Sequence, residues 1–280
     1  MRVAAIQMCP GPDVAANLDA AERLLRQAAE RGAGYALLPE YCTYMGPDED
    51  NALIAEAIPG PTTERLGELA KASNMYIQIG SMLERKPQSS KPWNTSVLID
   101  PTGAVTATYR KVHLFDIDIP GEIVSIESDA VSAGDRLVIA PAGEMTLGLA
   151  ICFDLRFPQL FSALAHAGVD VFPLPAAFAH RTGQAHWEAL LRARAIEHHA
   201  YVVAAALAGP GHDGWVSWGH SMIVDPWGEV IAEAPEQGED VLIAELDLEA
   251  VHRRRSQVPV MTADRPAVYT NIVRAAGGES

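Results

Sequence analysis

Short apolar runs and apolar/polar alternation recur along the chain, and a bounded run of this kind reads as a strand. The pattern predicts strands near Val3 to Met8, Tyr35 to Leu38, Met75 to Met82, Ser96 to Ile99, Val105 to Tyr109 and Leu137 to Ile139. It predicts six more near Met145 to Ile151, Val169 to Leu174, Tyr201 to Ala206, Ser221 to Val224, Val230 to Ala232 and Val241 to Leu246. Between them the period lengthens to that of a helix over Asn17 to Glu30, Thr63 to Ala72, Pro158 to Ala167 and Ala185 to His198. In the last of these, Trp187, Leu190, Leu191 and Ala195 line one stripe.

Helices alternating with strands imply parallel pairing. Two segments, DPTGAV at Asp100 to Val105 and DPWGEV at Asp225 to Val230, have hairpin chemistry and imply antiparallel pairing. The sheets are therefore expected to be mixed. About a dozen strands exceed what one twisted sheet holds before splitting, so two packed sheets with helices on their outer faces fit best. The paired Asp-Pro-x-Gly turns suggest a duplicated half, but their flanking sequences do not match well enough to establish a repeat. No polar linker or charge block divides the chain, and residues 1–280 read as a single α/β domain.

Composition narrows the function classes. A hydrophobic content of 49% with 20% charged residues is ordinary for a globular chain that can bury a large core. A net charge of −15 repels phosphate backbones and anionic lipid heads, which argues against nucleic acid as a partner. The one dense basic run, His252 to Arg255, reads as a solvated helix face. No apolar run approaches the ~18 residues that span a bilayer. Cys9, Cys42 and Cys152 are an odd number without close spacing, and MRVAAIQMCP reads as a strand, so a reducing, cytoplasmic setting is expected.

Three residues stand out for their placement. In GLAICFDLRFP, Cys152 follows an apolar strand and precedes a polar turn and a helix starting near Pro158. A thiol mounted there meets backbone N–H groups that favour a thiolate or an oxyanion; a buried core cysteine is the plain alternative. Glu40 lies just past a strand in the apolar setting LLPEY, where a carboxylate can exchange protons near neutrality, or it is an exposed loop acid. Lys111, in YRKVHLFDIDIPG, is either a buried cation facing developing negative charge or a snorkelling surface lysine. Each signal alone is weak. All three at strand ends could meet at one rim, and a thiol that is mostly protonated at neutral pH lacks a base and a cation, which this trio supplies.

The order LLPEY, YRKVHLF, GLAICFDLRFP resembles the nitrilase superfamily of carbon-nitrogen hydrolases, and the likeness extends from AAIQM through AHWEALLRARAIE and GHSMIVDPWGEV to PVMTADRPAVY. The resemblance implies a four-layer αββα sandwich and a Glu-Lys-Cys triad with Glu40 as general base, Lys111 at the oxyanion and Cys152 as nucleophile. It implies a second acid, Glu127, in IPGEIVSIESDAVSAGD, and the Phe153 backbone N–H as a second oxyanion donor. It also implies pairing with a second copy through helices that include AHWEALLRARAIE; plain packing is the alternative for Trp187, Arg192 and Arg194.

Subgroup signals point two ways. KVHLFDIDIPG and WGHS resemble omega-amidases, which deamidate 2-oxo acid amides; LLRARAIE, YVVAAA and GHSMIVDPWG resemble deaminated glutathione amidases. The reading placed first is a thiol amidase acting on a small carboxylate-bearing amide through a Cys152 thioester, omega-amidase-like. Deaminated glutathione amidase and N-carbamoyl amino acid hydrolase are alternatives, with a nitrilase or a non-catalytic subunit behind them. AFAHRTGQAHW departs from both subgroups at His180, Arg181 and Gln184, where Arg181 could clamp a substrate carboxylate and Phe178 could line the pocket, or Arg181 could be a solvated rim residue. Metal motifs, phosphate loops and dinucleotide fingerprints are absent, so no cofactor or metal is called for. GHSMI lacks the closing Gly of a serine elbow, leaving Ser221 as a strand opener. Cys42 reads as a pocket or packing residue.

Overall fold

The computed structural model describes residues 1–119 and 123–269. Twelve strands form two six-stranded sheets. The first runs Asp240–Glu245, Arg2–Gln7, Tyr35–Leu37, Tyr76–Glu84, Trp93–Ile99, Val105–Arg110; the second runs Ile139–Ala142, Met145–Gly148, Val171–Ala176, Tyr201–Ala206, Met222–Val224, Val230–Glu233. In these orders both sheets show one succession of neighbours: antiparallel, parallel, parallel, antiparallel, antiparallel. Both close on an Asp-Pro-x-Gly hairpin. Asp100 Oδ1 accepts from the N–H groups of Thr102 and Ala104, Asp225 Oδ1 from those of Trp227 and Glu229, and Gly103 and Gly228 adopt φ of +88° and +83°. Only glycine takes that conformation without strain. The two sheets thus share one succession of strand directions, a likeness their sequences do not reveal.

The sheets pack face to face with helices on their outer sides, making the expected four-layer sandwich. Alternation along each strand explains the layering. Val3, Ala5, Tyr35 and Leu37 join Val171 and Val203 in the core between the sheets, whereas Ala4, Ile6 and Ala36 face Leu24, Leu25 and Leu66 of the outer helices. On the far side, Phe161 of the Pro158–His166 helix meets Phe172 edge-on at 5.1 Å.

Local chemistry sets the helix ends. Asp13 accepts from the N–H groups of Ala15 and Ala16, which starts the first helix at Val14 rather than Asn17. Pro61 opens the Pro61–Ser73 helix, and Asn74 closes it in the left-handed conformation. The His180–His198 helix begins five residues before the expected Ala185. It has no side-chain cap and carries Gly183 in its first turn, because a Cβ there would collide with the Trp218 ring.

Other differences are instructive. Two hairpins were not anticipated, Asp116–Ile119 with Ile123–Ile126 and Ala208–Pro210 with Val216–Trp218. Residues 120–122 of the IPGEIV segment lie outside the described residues. The strand at Ile139–Ala142 falls later than Leu137 to Ile139, and the strand from Met145 ends at Gly148 instead of Ile151. The basic run sits on a helix, Leu248–Gln257, but is not wholly solvated: Arg255 donates to the carbonyls of Val169 and His198, and Arg254 lies over Trp227.

Gly80 ties the packing of the first sheet to the placement of Glu40. A Cβ at this position would strike the carbonyls of Leu38 and Pro39, the segment leading to that acid. Gly80→Ala is therefore expected to lower stability by on the order of 1–3 kcal/mol and to lower turnover as well. Thermal denaturation and steady-state rates check this; a variant with wild-type melting and rates would contradict it.

Candidate active site

Strand direction brings the chemistry together. Tyr35–Leu37 and Tyr76–Glu84 are parallel, and Val105–Arg110, two antiparallel steps further on, runs the same way. Leu37 and Arg110 therefore end at one rim, where Trp93 begins its strand. Met8 bridges Leu207 in the parallel sense, aligning the central strands of the second sheet with those of the first. Glu40, Lys111, Cys152 and Ala177 each lie within four residues of a strand's C-terminal end at this rim.

Two prolines open the site. The carbonyls of Asp170 and Ala176 face the Tyr201–Ala206 strand, accepting from Tyr201 and Leu207. Alternation then turns the nitrogens of Pro173 and Pro175 toward the Met145–Gly148 side, where only Val171 pairs, with Leu147. Proline offers no donor there. The neighbouring chain leaves the sheet after Gly148, and the next N–H on that side, from Ala177, donates to Glu40 Oε2 at 2.8 Å.

Lys111 sits between two carboxylates, with Nζ 2.9 Å from Glu40 Oε1 and 2.8 Å from Glu127 Oε2. The side chains of Lys111, Glu40 and Glu127 are 2%, 1% and 10% exposed, which excludes both the exposed-acid and the snorkelling alternatives. Asn94 Nδ2 donates to Glu40 Oε1 at 2.9 Å and to Glu127 Oε1 at 3.2 Å. Tyr41 OH donates to Glu127 Oε1 at 2.9 Å and the Phe115 N–H to Glu127 Oε2 at 2.6 Å. Burial acts to lower the Lys111 pKa, but Glu127 and Glu40 outweigh it and hold the ammonium well above its ordinary value. Burial acts to raise Glu127, and Lys111 with the surrounding donors overrides it, leaving the carboxyl below its ordinary value. Glu127 opens the short helix Glu127–Ala130 directly after a strand.

Cys152 begins a single 3₁₀ turn, Cys152–Arg156, at a left-handed φ of +46°. Such strain persists only where the surroundings fix it. The fully buried Asp154 supplies that constraint: it accepts from Tyr109 OH at 2.7 Å, Ile151 N–H at 2.9 Å and His113 N–H at 3.1 Å, and its Oδ1 lies 2.7 Å from His113 Nδ1. The thiol lies near Glu40, Lys111 and the Ala177 N–H, each of which acts on its ionisation. Burial pushes its pKa well above the usual range, the Glu40 charge pushes it further, and Lys111 opposes both. The expectation of a setting that favours a thiolate is thereby corrected.

The three residues open onto a cavity of about 1060 Å³. Phe115, Phe153, Phe178 and Trp215 give it aromatic walls, and His180 and Arg181 line it with Glu236. Phe178 and Arg181 are thus both at the cavity, as is the Phe153 that follows the thiol. Trp187 and Arg194 are engaged within the chain: the indole donates to His220 O at 2.7 Å and the guanidinium to Leu155 O at 2.8 Å. Cys42 is a packing residue with its Sγ 3.5 Å from Ser81 O. Ser221, one residue before its strand, is buried and accepts from the Ala206 N–H. Among the described residues no group of three His, Cys, Asp or Glu could hold a metal, and no helix is long and apolar enough to cross a membrane.

Sequence reasoning missed Asn94, Tyr41 and the Ala177 N–H. A signal existed for two of them: an asparagine interrupting the apolar strand WNTSVLI, and the proline alternation in FPLPA.

Known proteins share this arrangement. The family model described as carbon-nitrogen hydrolase matches residues 2–256. The chain belongs to that family, within the nitrilase superfamily. Human deaminated glutathione amidase is 42% identical over 96% of this chain and 84% of its own length. Mouse omega-amidase NIT2 is 39% identical over 96% of each. The C. elegans NitFhit crystal structure superposes with a TM-score of 0.90 at 37% identity, covering all of this chain and 68% of that one. In a solved structure of a glutamate-to-glutamine mutant of the amidase from Nesterenkonia sp. AN1, 26% identical with a TM-score of 0.76 over 92% of this chain and 98% of that one, acrylamide has added to the active-site cysteine. This carbon-nitrogen hydrolase is a cysteine-based amidase carrying the family's Glu-Lys-Cys arrangement.

Burial pushes the Cys42 thiol up to about 12, and Cys42 does not line the cavity that Cys152 opens onto. Cys42→Ala should cost on the order of 1–2 kcal/mol in stability yet keep kcat/KM within about twofold. Melting curves and amide turnover read both; a large activity loss at unchanged stability would move Cys42 into the site.

Proposed function

We propose that this amidase hydrolyses the terminal amide of a small carboxylate-bearing molecule through a thioester on Cys152. The observation that carries the reading is a buried thiol beside a buried carboxylate, Glu40, which is itself paired with a lysine locked in its charged form. Because burial and the Glu40 charge favour the protonated thiol, its proton must leave as it attacks. Glu40 takes that proton while Sγ bonds to the carbonyl carbon. Lys111 and the Phe153 N–H stabilise the oxyanion. Glu40 then protonates the nitrogen, the C–N bond breaks and ammonia departs. Water, deprotonated by Glu40, attacks the thioester; the C–S bond breaks and the proton returns to sulfur. Glu127 fixes Lys111 and the leaving amine. The acrylamide adduct on the related amidase's cysteine supports a cysteine nucleophile here.

Omega-amidase-like hydrolysis of 2-oxo acid amides is one substrate reading. A second, deaminated glutathione amidase-like, is favoured by a specific feature. The cavity of about 1060 Å³ lies at the upper end of the range for drug-sized ligands, roughly 300–1000 Å³, and far exceeds a five-carbon oxo acid amide. A longer peptidyl amide would reach Arg181 and His180 with its distal carboxylate. Ammonia release across 2-oxo, peptidyl, carbamoyl and nitrile substrates tests this: highest kcat/KM on a carboxylate-bearing amide supports it, and a preference for nitriles or neutral amides contradicts it. The chain is also proposed to pair with a second copy, since Ile196 and Trp227 are large apolar side chains left 46% and 48% exposed beside Gly228; light scattering at monomer mass would refute the pairing.

Cys152→Ala should abolish turnover with the fold intact. Lys111→Gln should lower kcat by on the order of a hundredfold, the usual consequence of losing one oxyanion-stabilising group worth ~3 kcal/mol. Glu127→Gln should lose a comparable factor because Lys111 is then held from one side only. Saturating rates equal to wild type in either variant would remove that residue from the machinery.

A further inference from the structure

Asn94 is fully buried and touches both carboxylates of the site, yet it carries neither proton nor charge in the proposed reaction. Its orientation is dictated. Two carboxylate oxygens face one end of the carboxamide, so that end must be the NH₂ group, with one hydrogen for each acid. Lys111 bridges the same two acids from the other direction, which closes a ring: Lys111, Glu40, Asn94, Glu127 and back to Lys111. The backbone carbonyl of Asn94 also accepts from the Lys111 N–H at 2.9 Å, so one residue sets both the lysine's main chain and the acids' spacing.

The arrangement has a cost that packing alone would not retain. The opposite end of the carboxamide, Oδ1, is buried without a hydrogen-bond partner among the described residues, a state that costs stability. An apolar residue would avoid this orphan but leave two ionised acids short of a donor. An aspartate would set a third carboxylate against them.

We propose that Asn94 is a positioning residue whose carboxamide clasps Glu40 and Glu127 at the separation that Lys111 spans, and so holds Glu40 against the Cys152 thiol. The clasp matters only if Glu40 is the base that serves Cys152, the role given to it under the proposed function. The titratable groups facing it are Glu40, Glu127, Lys111, Tyr41 and Cys152. The Asn94 hydrogen bond is among the contacts that hold Glu127 below its ordinary pKa. Without that donor Glu127 takes up its proton at higher pH and relaxes its hold on Lys111, so function is lost earlier as pH falls.

Alkylation of Cys152 by iodoacetamide reads this without knowledge of the substrate. It is followed as a function of pH in a Cys9→Ser background, which removes the exposed thiol. Asn94→Leu should alkylate on the order of tenfold or more slowly at neutral pH, with its acid limb moved to higher pH. The isosteric Asn94→Asp keeps the shape but can donate only while protonated, so its rate should fall as pH rises, the opposite trend. Should the leucine variant fail to fold, the aspartate variant decides alone. Wild-type profiles in the folded Asn94 variants, with Glu40→Gln impaired, would overturn the clasp and leave the base assignment standing. A Glu40→Gln enzyme that alkylates like wild type would overturn both.

Discussion

The site depends on one buried ammonium held between two carboxylates. Removing three charges from water is costly, and their attraction offsets it only when the remaining lone pairs are satisfied. Here Asn94, Tyr41, the Phe115 N–H and the Ala177 N–H provide the donors. They come from a strand, a loop, a hairpin's leading edge and the end of a strand in the second sheet. The cluster can therefore form only when both sheets have assembled with their strand ends at one rim. Fold and chemistry are linked through that requirement.

Much of this was legible in the chain. Short continuous apolar runs mark strands buried on both faces, and Asp-Pro-x-Gly marks the closing hairpin of each sheet. Glu40, Lys111 and Cys152 could be singled out because each follows an apolar run. What stayed hidden was whatever depends on contact through space. Asn94 and Tyr41 match no motif; their roles come from the acids that other segments bring to them. The pairing of Asp116–Ile119 with Ile123–Ile126 was missed because both strands are short and the first alternates aspartate with isoleucine before a Pro-Gly pair, which reads as a loop. The start of the last predicted helix at His180 was missed because its first turn has neither a capping side chain nor an apolar stripe, only the glycine that admits Trp218.

The thiol is the point at which position and environment diverge. Strand, turn and helix do form a mounting for a nucleophile, as their order along the chain implies, and such a turn is expected to favour a thiolate. Instead the neighbouring carboxylate and near-complete burial favour the protonated thiol. A constrained left-handed Cys152, pinned through Asp154, keeps sulfur beside its base and compensates for the absence of a preformed anion. The separation of labour is physical: Lys111 remains charged to meet the oxyanion, and Glu40 is left to carry the proton.

That division is the central claim, and pre-steady-state ammonia release by Glu40→Gln tests it most directly. If Glu40 serves both halves of the reaction, the variant slows acylation and deacylation together and shows no fast burst. A burst equal to the enzyme concentration, as rapid as in the wild type, would mean that Cys152 attacks without Glu40 and would contradict the account.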